Sequence, residues 1–399
     1  MSANESPPPA QRALRVGFLI DRWDPGRGGA ERALVHLALH LESRGHRVLA
    51  FACEGSAGAP GELVRVAPRG LLRGTRERAL ARDLPAAARE AGCDVTLGIR
   101  HLERVDLYWP HGGAHAASLA ARRRSRGLPE RPPCGRHRVF IELERELCER
   151  GGARAIACPS RLVFEELSRI WPASIPRLEL VPNGVDLERF HPRNRAAAGA
   201  ALRRELRIEP ETPLIGFSAR EPRLKGLPQL LDALAKLTDR AWHLLVAGPK
   251  RPRIWTSAAR ARGLGRERVS VRAAVDPAAM WSAADLCALP TWRDTSSLVV
   301  LEALASGTPV VTTRFAGAAD SIHHDVAGTV LAAPDDASAL ECALADWLAR
   351  IAHVETGALD RDRVRACVAD RSAERWLARL TDRLERLAES STLPAERVE

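Results

Sequence analysis

The stretch LPTWRDTSSLVVLEALASGTPVV, Leu289 to Val311, predicts a strand, a polar loop, a helix and a second strand in succession. Pro290 closes the first strand, and Gly307 supplies the glycine that commonly ends a helix. Strand and helix alternate in the same way from Leu14 onward, with apolar runs such as LRVGFLI and PLIGFSA. This alternation predicts an α/β fold in which helices cover both faces of parallel sheets.

The length of 399 residues predicts two such domains rather than one. A second strand–helix series begins near Thr212. We expect four segments: a disordered tail over residues 1–12, an N-terminal domain over 13–185, a C-terminal domain over 186–360, and a charged helix over 361–399 that packs back toward the N-terminal domain. Two αβα domains that face each other leave a cleft at the carboxyl ends of their strands, where open sheets bind ligands.

The composition narrows the class of protein without deciding it. A formal charge of +10 suits anionic partners, which include nucleic acid, acidic membranes and phosphorylated substrates. The eight cysteines show no CxxC pair and no zinc spacing, so we expect reduced, buried thiols, with disulfides as the alternative. The polar N-terminus lacks the apolar core of a signal peptide, and no apolar run approaches the roughly 20 residues that cross a bilayer. These features predict a cytoplasmic protein, with peripheral membrane association as its one route to a membrane.

The stretch from Leu289 to Val311 contains two carboxylates that are candidates for ligand binding. Asp294 precedes a helix that Thr295 or Ser296 can cap, and Glu302 lies about two turns further on. Two carboxylates separated by about two helical turns can bind hydroxyl groups at two points of one elongated ligand. The alternative is that Glu302 is a surface or capping residue.

Two cations lie in the loop SAREPRLKG, which follows the strand PLIGFSA. Arg220 and Lys225 at the mouth of a cleft suit a diphosphate, because they neutralise the charge that grows as it leaves. A solvated surface loop is the alternative.

Two glycine-containing segments supply further candidates. In DPGRGGAE, Gly28 and Gly29 join a strand to a helix whose N-terminus can approach an anion. The loop is not a GxGxxG fingerprint, so a tight turn is the alternative. In YWPHGGAH, His111 follows a strand and is either a site residue or a structural one. The DRD sequence at residues 360–362 matches a DxD metal-binding pattern, but it lies at the start of a charged terminal helix, far from any strand-end loop, so we interpret the match as chance.

The segment AARRRSRGLPERPPCGRHR, Ala120 to Arg138, predicts a loop or a partly ordered segment. Its arginines raise the hypothesis of a nucleic-acid-binding protein. No helix-turn-helix, zinc finger or basic patch interleaved with aromatic residues accompanies it, which argues against that class.

Together and in this order, the motifs resemble family 4 of the retaining glycosyltransferases, which have the GT-B fold of two Rossmann-like domains. The matches are GGAER at Gly28–Arg32, PNGVDLERF at Pro182–Phe190, Arg220 with Lys225–Gly226, and Asp294 with Glu302 in the setting EALASGTPVV. Within the family, VAGPKRPR, WSAADL and VDLY are most similar to the lipopolysaccharide core glucosyltransferases. The resemblance covers nearly the whole chain and is most specific from Gly216 to Gly317. It implies that the domain over 13–185 binds the acceptor and that the domain over 186–360 binds the nucleotide-sugar.

The resemblance implies that all these candidates belong to one donor pocket. Arg220 and Lys225 would bind the diphosphate, and Glu302 would bind the ribose hydroxyls. Asp294 and the amides of Thr295, Ser296, Ser297 and Leu298 would hold the donor sugar, His111 would lie near its 6-hydroxyl or the reaction centre, and Gly28 and Gly29 would approach the phosphate or the acceptor. The family's first acidic position is usually Glu, whereas this chain has Asp294. The sugar end of the donor is therefore less firmly implied than the nucleotide end.

The implied reaction is a configuration-retaining transfer from a nucleotide-sugar, expected to be a UDP-hexose, to a glycan or glycolipid in lipopolysaccharide core or cell-surface polysaccharide synthesis. No metal and no other cofactor are expected, and no nucleic acid partner. The resemblance also suggests that Arg122–Arg138 docks on an anionic membrane at its cytoplasmic face, a solvated loop being the alternative. A GT-B-like protein that binds or epimerises nucleotide-sugars without transfer is the alternative function.

Overall fold

The computed structural model describes residues 12–24, 28–56, 58–352 and 360–392, so residues 1–11 of the predicted tail lie outside it. Its strands are β1 Arg15–Leu19, β2 Arg22–Trp23, β3 Arg47–Ala52, β4 Glu54–Gly55, β5 Glu62–Arg65, β6 Val95–Gly98, β7 Val105–Tyr108, β8 Ala153–Cys158, β9 Leu178–Leu180, β10 Leu214–Ser218, β11 His243–Ala247, β12 Val269–Arg272, β13 Leu286–Leu289, β14 Val310–Thr313 and β15 Gly328–Leu331. Its helices are α1 Gly29–Ser43, α2 Arg73–Glu90, α3 His115–Arg124, α4 Arg136–Cys148, α5 Arg161–Ile170, α6 Ala198–Leu206, α7 Leu227–Leu234, α8 Pro252–Arg260, α9 Pro277–Ala283, α10 Leu298–Ala305, α11 Ala337–Ala352, α12 Arg361–Ala366 and α13 Ala373–Thr392.

The contacts of the chain divide it into two compact units. The first contains the described residues of Met1–Trp109, Gly135–Ala157 and Arg379–Glu399, and the second contains Pro110–Cys134 and the described residues of Cys158–Ala378. Both units are discontinuous in sequence. The domain boundaries expected at residues 12, 185 and 360 stay a prediction.

Each unit is built on a parallel sheet. In the first unit the strands lie in the order β5-β3-β1-β6-β7-β8, and β2 and β4 form a separate parallel pair. In the second unit the order is β12-β11-β10-β13-β14-β15, again parallel throughout. Strands β13 and β14 are fully buried, as parallel strands are when helices cover both faces. The predicted α/β class is confirmed.

Helices α7 and α10 anchor the loops of the second unit. On α7, Leu230, Leu231 and Leu234 are buried, and on α10 Val300 and Leu304 are buried. All of them belong to one hydrophobic cluster with the strands of the sheet. Burying one such side chain contributes about 1.5–3 kcal/mol, so the loops that precede these helices are held between firmly packed elements.

The sequence predicts helices at RLVFEELSRI and around Pro277–Ala283 and Leu298–Ala305, and α5, α9 and α10 have these bounds. Two other predictions are wrong. The predicted loop over Ala120–Arg138 is helical at both ends, because α3 continues to Arg124 and α4 begins at Arg136. Alanine and arginine are good helix formers, and this property outweighs the clustered charge. The predicted continuous tail helix is split into α12 and α13. Residues near its break pair with Val185, whose N–H donates to Arg371 O at 2.8 Å.

The cysteine prediction is partly wrong. Cys148, Cys158 and Cys287 are buried, but Cys134 and Cys342 are exposed. Burial raises the pKa of the Cys158 thiol to about 12, so this side chain behaves as a small hydrophobe. Within the described ranges, no helix is both long and apolar enough to cross a membrane.

Candidate functional site

The candidate residues of the second unit gather at one edge of its sheet. Strands β10, β13 and β14 are neighbours, so the loops that follow their carboxyl ends start side by side. These loops carry Lys225, Asp294 and Gly317. The middle loop is tied to both others, since Trp292 N–H donates to Leu224 O at 3.0 Å and Gly317 N–H donates to Asp294 O at 2.7 Å. Ligands bind at this edge of open parallel sheets.

Lys225 and Asp294 form an ion pair between two of these loops. Lys225 Nζ lies 2.8 Å from Asp294 Oδ2 and donates to the Arg293 carbonyl at 3.1 Å. The two side chains are 20% and 16% exposed, so both are screened from bulk water without being sealed from it. Gly226 fixes the turn beside Lys225: its φ is +82°, and a Cβ there would overlap the Pro290 carbonyl. The structure thus brings two of the candidate residues into direct contact.

The prediction that Thr295 or Ser296 caps the following helix is wrong. Asp294 Oδ1 accepts the Ser297 N–H at 3.1 Å, while the Thr295 hydroxyl donates to the His111 carbonyl. Ser297 adopts the left-handed conformation, with φ of +48°, and turns the chain into α10, which begins at Leu298. Asp294 outcompetes the hydroxyls because a carboxylate is the stronger acceptor for a backbone N–H. It therefore serves the helix N-terminus as well as Lys225.

Glu302 lies within α10 and is half-buried. The indole of buried Trp281 donates from Nε1 to Glu302 Oε2 at 3.3 Å, which orients the carboxylate. Burial raises the pKa of the neighbouring Cys287 thiol, and the Glu302 charge raises it further. Glu302 is accordingly neither a capping residue nor a freely rotating surface carboxylate.

His111 belongs to the second unit and is half-buried. Its peptide carbonyl accepts the Thr295 hydroxyl, so its loop lies against the loop of Asp294. Burial lowers the pKa of the His111 imidazole to about 3, and the ring is therefore neutral near pH 7. Arg220 is exposed in the loop after β10, where its neighbour Glu221 forms an ion pair with Arg122.

Gly28 and Gly29 lie in the first unit, at the start of α1. Gly28 has extended backbone with φ of −173°, which any residue can adopt. A Cβ at Gly28 would meet only the carboxylate of Glu31, which is the far end of a flexible side chain. The backbone at this position does not itself demand glycine. Residues 25–27 of the same predicted loop lie outside the described residues.

Arg293 and Glu166 form an ion pair of the site that the sequence analysis missed. The guanidinium meets both carboxylate oxygens, with Nε donating to Oε1 at 3.2 Å and Nη2 donating to Oε2. A third donor, Nη1, reaches the Gly112 carbonyl at 2.8 Å. The partners are 127 residues apart in sequence, so no local pattern reveals them. The one local signal is a charged residue directly before Asp294.

Among the residues that the structure describes, no three His, Cys, Asp or Glu side chains are grouped as metal ligands would be. Asp360, in the DRD sequence, accepts the backbone N–H groups of Asp362 and Arg363 at 3.0 and 3.1 Å and so caps α12. The expectation that the reaction needs no metal stays a prediction.

Two family descriptions match most of the chain. "Glycosyltransferase Family 4" matches residues 27–189, and "Glycosyl transferases group 1" matches residues 212–350. The lipopolysaccharide glucosyltransferase WaaG of Escherichia coli (strain K12) is 24% identical over 324 residues, which cover 80% of this chain and 85% of WaaG. A D-inositol 3-phosphate glycosyltransferase of Mycobacterium sp. (strain KMS) is 29% identical over 369 residues, which cover 81% of this chain and 79% of that one.

Solved structures share the fold along nearly the whole chain. A crystal structure of WaaG, a glycosyltransferase involved in lipopolysaccharide biosynthesis, superposes with a TM-score of 0.77 at 21% identity and covers 92% of this chain and 99% of its own. Anabaena HepE in complex with UDP-glucose superposes with a TM-score of 0.69 at 18% identity, over 95% and 100%. With glycosyltransferase domains matched in both halves, the chain belongs to family 4 of the glycosyltransferases, has the GT-B fold, and transfers a sugar from a nucleotide-sugar donor.

Proposed function

We propose that the second unit binds a UDP-hexose at the carboxyl edge of its sheet, with Arg220 and Lys225 on the diphosphate. The observation that carries the proposal is the 2.8 Å contact between Lys225 and Asp294 at the start of α10. A cation held beside a helix N-terminus supplies positive charge where the diphosphate would leave. The complex of the Anabaena relative with UDP-glucose supports a UDP-sugar as the donor.

The rest of the donor is assigned along the same loop and helix. Glu302, oriented by the Trp281 indole, accepts hydrogen bonds from the ribose hydroxyls. The neutral ring of His111 offers one donor and one acceptor to the 6-hydroxyl or to the reaction centre. The donor sugar is held by Asp294 and by the backbone amides of Thr295, Ser296, Ser297 and Leu298. We further propose that the amides of Gly28 and Gly29 bind the phosphate or the acceptor.

The proposed reaction retains the anomeric configuration and uses no metal. The acceptor hydroxyl attacks the anomeric carbon on the face from which UDP departs, the new C–O bond forms, and the bond to the phosphate oxygen breaks. The proton of the acceptor passes to the leaving phosphate oxygen, so no protein base is named. Positive charge from Arg220, Lys225 and the helix N-terminus stabilises the departing diphosphate.

The proposed acceptor is a glycan or glycolipid of lipopolysaccharide core or cell-surface polysaccharide synthesis, reached at the inner face of the cytoplasmic membrane. The segment Arg122–Arg138 is the proposed docking element, with Arg124, Arg126 and Arg131 exposed. Each arginine near an anionic surface contributes on the order of 1 kcal/mol. Flotation with liposomes tests this element, and equal binding to neutral and anionic vesicles contradicts it.

The donor proposal is tested by thermal shift and calorimetry against UDP-, GDP- and ADP-sugars, followed by UDP release from UDP-glucose. We expect Lys225→Met to lower the rate of UDP release about 10²–10³-fold, the loss typical of one donor that stabilises developing charge. Lys236→Met is the matched control, because Lys236 is an exposed lysine of the same unit that pairs with Glu341 at 2.9 Å. Failure of every nucleotide-sugar to bind, or equal losses in both variants, contradicts the proposal.

Stereochemistry and metal dependence are tested separately. Proton NMR of the first product formed reports whether the anomeric configuration is retained. Activity that persists in excess EDTA supports a metal-independent reaction, and activity that returns only with added Mg²⁺ or Mn²⁺ contradicts it.

A further inference from the structure

The Arg293–Glu166 pair lies inside the second unit and is nearly closed to water. The two side chains are 7% and 12% exposed, and all three nitrogens of the guanidinium donate hydrogen bonds. Removing charged groups from water is costly, and such pairs often contribute little net stability compared with apolar residues of the same size. Their best-attested benefit is geometric, because a planar fork on a carboxylate fixes orientation as well as distance.

Three loops of the candidate site meet at Arg293. Its side chain holds the Gly112 carbonyl at 2.8 Å, and its own carbonyl accepts Lys225 Nζ at 3.1 Å. Gly113 lies so close to the pair that a Cβ would overlap the Arg293 guanidinium, and its φ is +59°. Arg293 therefore connects its own loop, which carries Asp294, to the loop that contains His111 and to the loop that contains Lys225.

Building on the proposed function, we infer that Arg293 and Glu166 are positioning residues, which hold the loop of His111 in register with Asp294 and Lys225. Neither side chain is required to touch the donor. Their effect passes through the Gly112 carbonyl and the backbone of residues 293–295. A displacement of about 1 Å in such a loop can cost on the order of 10²-fold in rate.

Three variants distinguish a positioning role of the pair from a contribution to the stability of the fold. Arg293→Lys keeps the charge and loses the fork, and Glu166→Gln keeps the shape and loses the charge. The double variant Arg293→Met/Glu166→Met removes both buried charges together. For each protein the melting temperature, the Kd for UDP and the rate of UDP release from UDP-glucose are measured.

We expect Arg293→Lys to lower the rate of UDP release about 10–100-fold while the Kd for UDP changes less than about threefold, as for residues that orient a binding group. We expect Glu166→Gln to lower the melting temperature, because it leaves the Arg293 charge buried alone, and the double variant to recover toward the melting temperature of the wild type without recovering the rate. Recovery of the rate together with the melting temperature would overturn the inference.

Arg203→Lys is the matched control. Arg203 is 8% exposed and bonds Asp285 Oδ2 at 3.1 Å and the Ala283 carbonyl at 2.9 Å, at the amino end of β13, opposite the site edge of the same sheet. A loss of stability alone lowers the melting temperature in both variants and leaves the rate of Arg203→Lys unchanged. If the wild type is active and Arg293→Lys loses no more activity than this control, the inference fails and the proposed function stands. If the wild type releases UDP from UDP-glucose at no measurable rate, the proposed donor fails instead.

Discussion

Gly226→Ala is expected to damage activity far more than an ordinary glycine substitution, because the glycine joins two loops of the site. At Gly226 a Cβ would overlap the Pro290 carbonyl oxygen and lie 2.7 Å from its carbon, where ordinary contact begins at 3.4 Å. The two backbones must therefore separate by at least 0.7 Å, the difference between these distances. One of them carries Lys225 and the other leads to Asp294, so their 2.8 Å contact is disturbed directly.

The energetic cost has two parts. An alanine in the left-handed region costs about 1–2 kcal/mol, and forced overpacking adds about 1–3 kcal/mol. Gly263→Ala isolates the first part, since Gly263 lies in the same unit with φ of +76° and nothing within 4 Å of a Cβ. We expect the melting temperature to fall by about 2–8 °C in Gly263→Ala and on the order of 10 °C in Gly226→Ala.

The decisive measurement is UDP release from UDP-glucose, well below both melting temperatures. A shift approaching 1 Å beside Lys225 predicts a loss on the order of 10²-fold for Gly226→Ala. Gly263→Ala should keep the rate of the wild type within about twofold, because its loop is free to accept a methyl group. Equal rates in the two variants would refute the reasoning, since the close approach would then have no bearing on the site.

Further predictions concern Glu302, His111 and the exposed arginines of the docking element. Glu302→Gln should raise the Kd for UDP about 10-fold or more in calorimetry, as loss of charge-assisted bonds to the ribose implies; an unchanged Kd contradicts that role. The depressed pKa of His111 means that unfolding takes up a proton below about pH 6.5, so stability is present above that pH and is lost as the pH falls toward 3. From pH 7.5 to 5, urea titration should show the wild type losing about 2 kcal/mol more than His111→Gln, and equal losses contradict the assignment. Replacing Arg124, Arg126 and Arg131, three of the exposed arginines of the docking element, by serine should weaken the preference for anionic vesicles without changing UDP release, and an unchanged preference contradicts it.

The fold was accessible to sequence reasoning because its signals are local. The apolar run LVVLEALA followed by Gly307 specifies α10, and RLVFEELSRI, with Ser160 before it and Pro172 shortly after it, specifies α5. The tail was not accessible, since the break between α12 and α13 depends on backbone pairing with Val185, which lies far away along the chain. A periodic pattern records which face is buried and carries no information about such partners.

The residues of the site likewise fall into those that local sequence patterns reveal and those that only the fold reveals. Lys225, Asp294 and Glu302 could be singled out because each follows a strand or lies on a helix at the carboxyl edge of the sheet. The sequence offered Thr295 and Ser296 as caps, and only the fold shows that the Thr295 hydroxyl donates to the His111 carbonyl while Asp294 accepts the Ser297 amide. The Arg293–Glu166 pair could be identified only from the fold, since Arg293 lies in the loop after β13 and Glu166 lies on α5.

The geometry also gives a reason for aspartate where the family usually has glutamate. Both oxygens of Asp294 are engaged, one by the Ser297 amide at 3.1 Å and the other by Lys225 at 2.8 Å. A side chain longer by one methylene would carry the carboxylate beyond one of these partners. Lys225 is therefore held in place before any diphosphate arrives, and fixed charges of this kind need no reorganisation when the leaving group departs. We propose that in this chain the first acidic position acts on the cation as much as on the sugar, and that the sugar contacts fall more heavily on those backbone amides at the start of α10 that Asp294 does not engage.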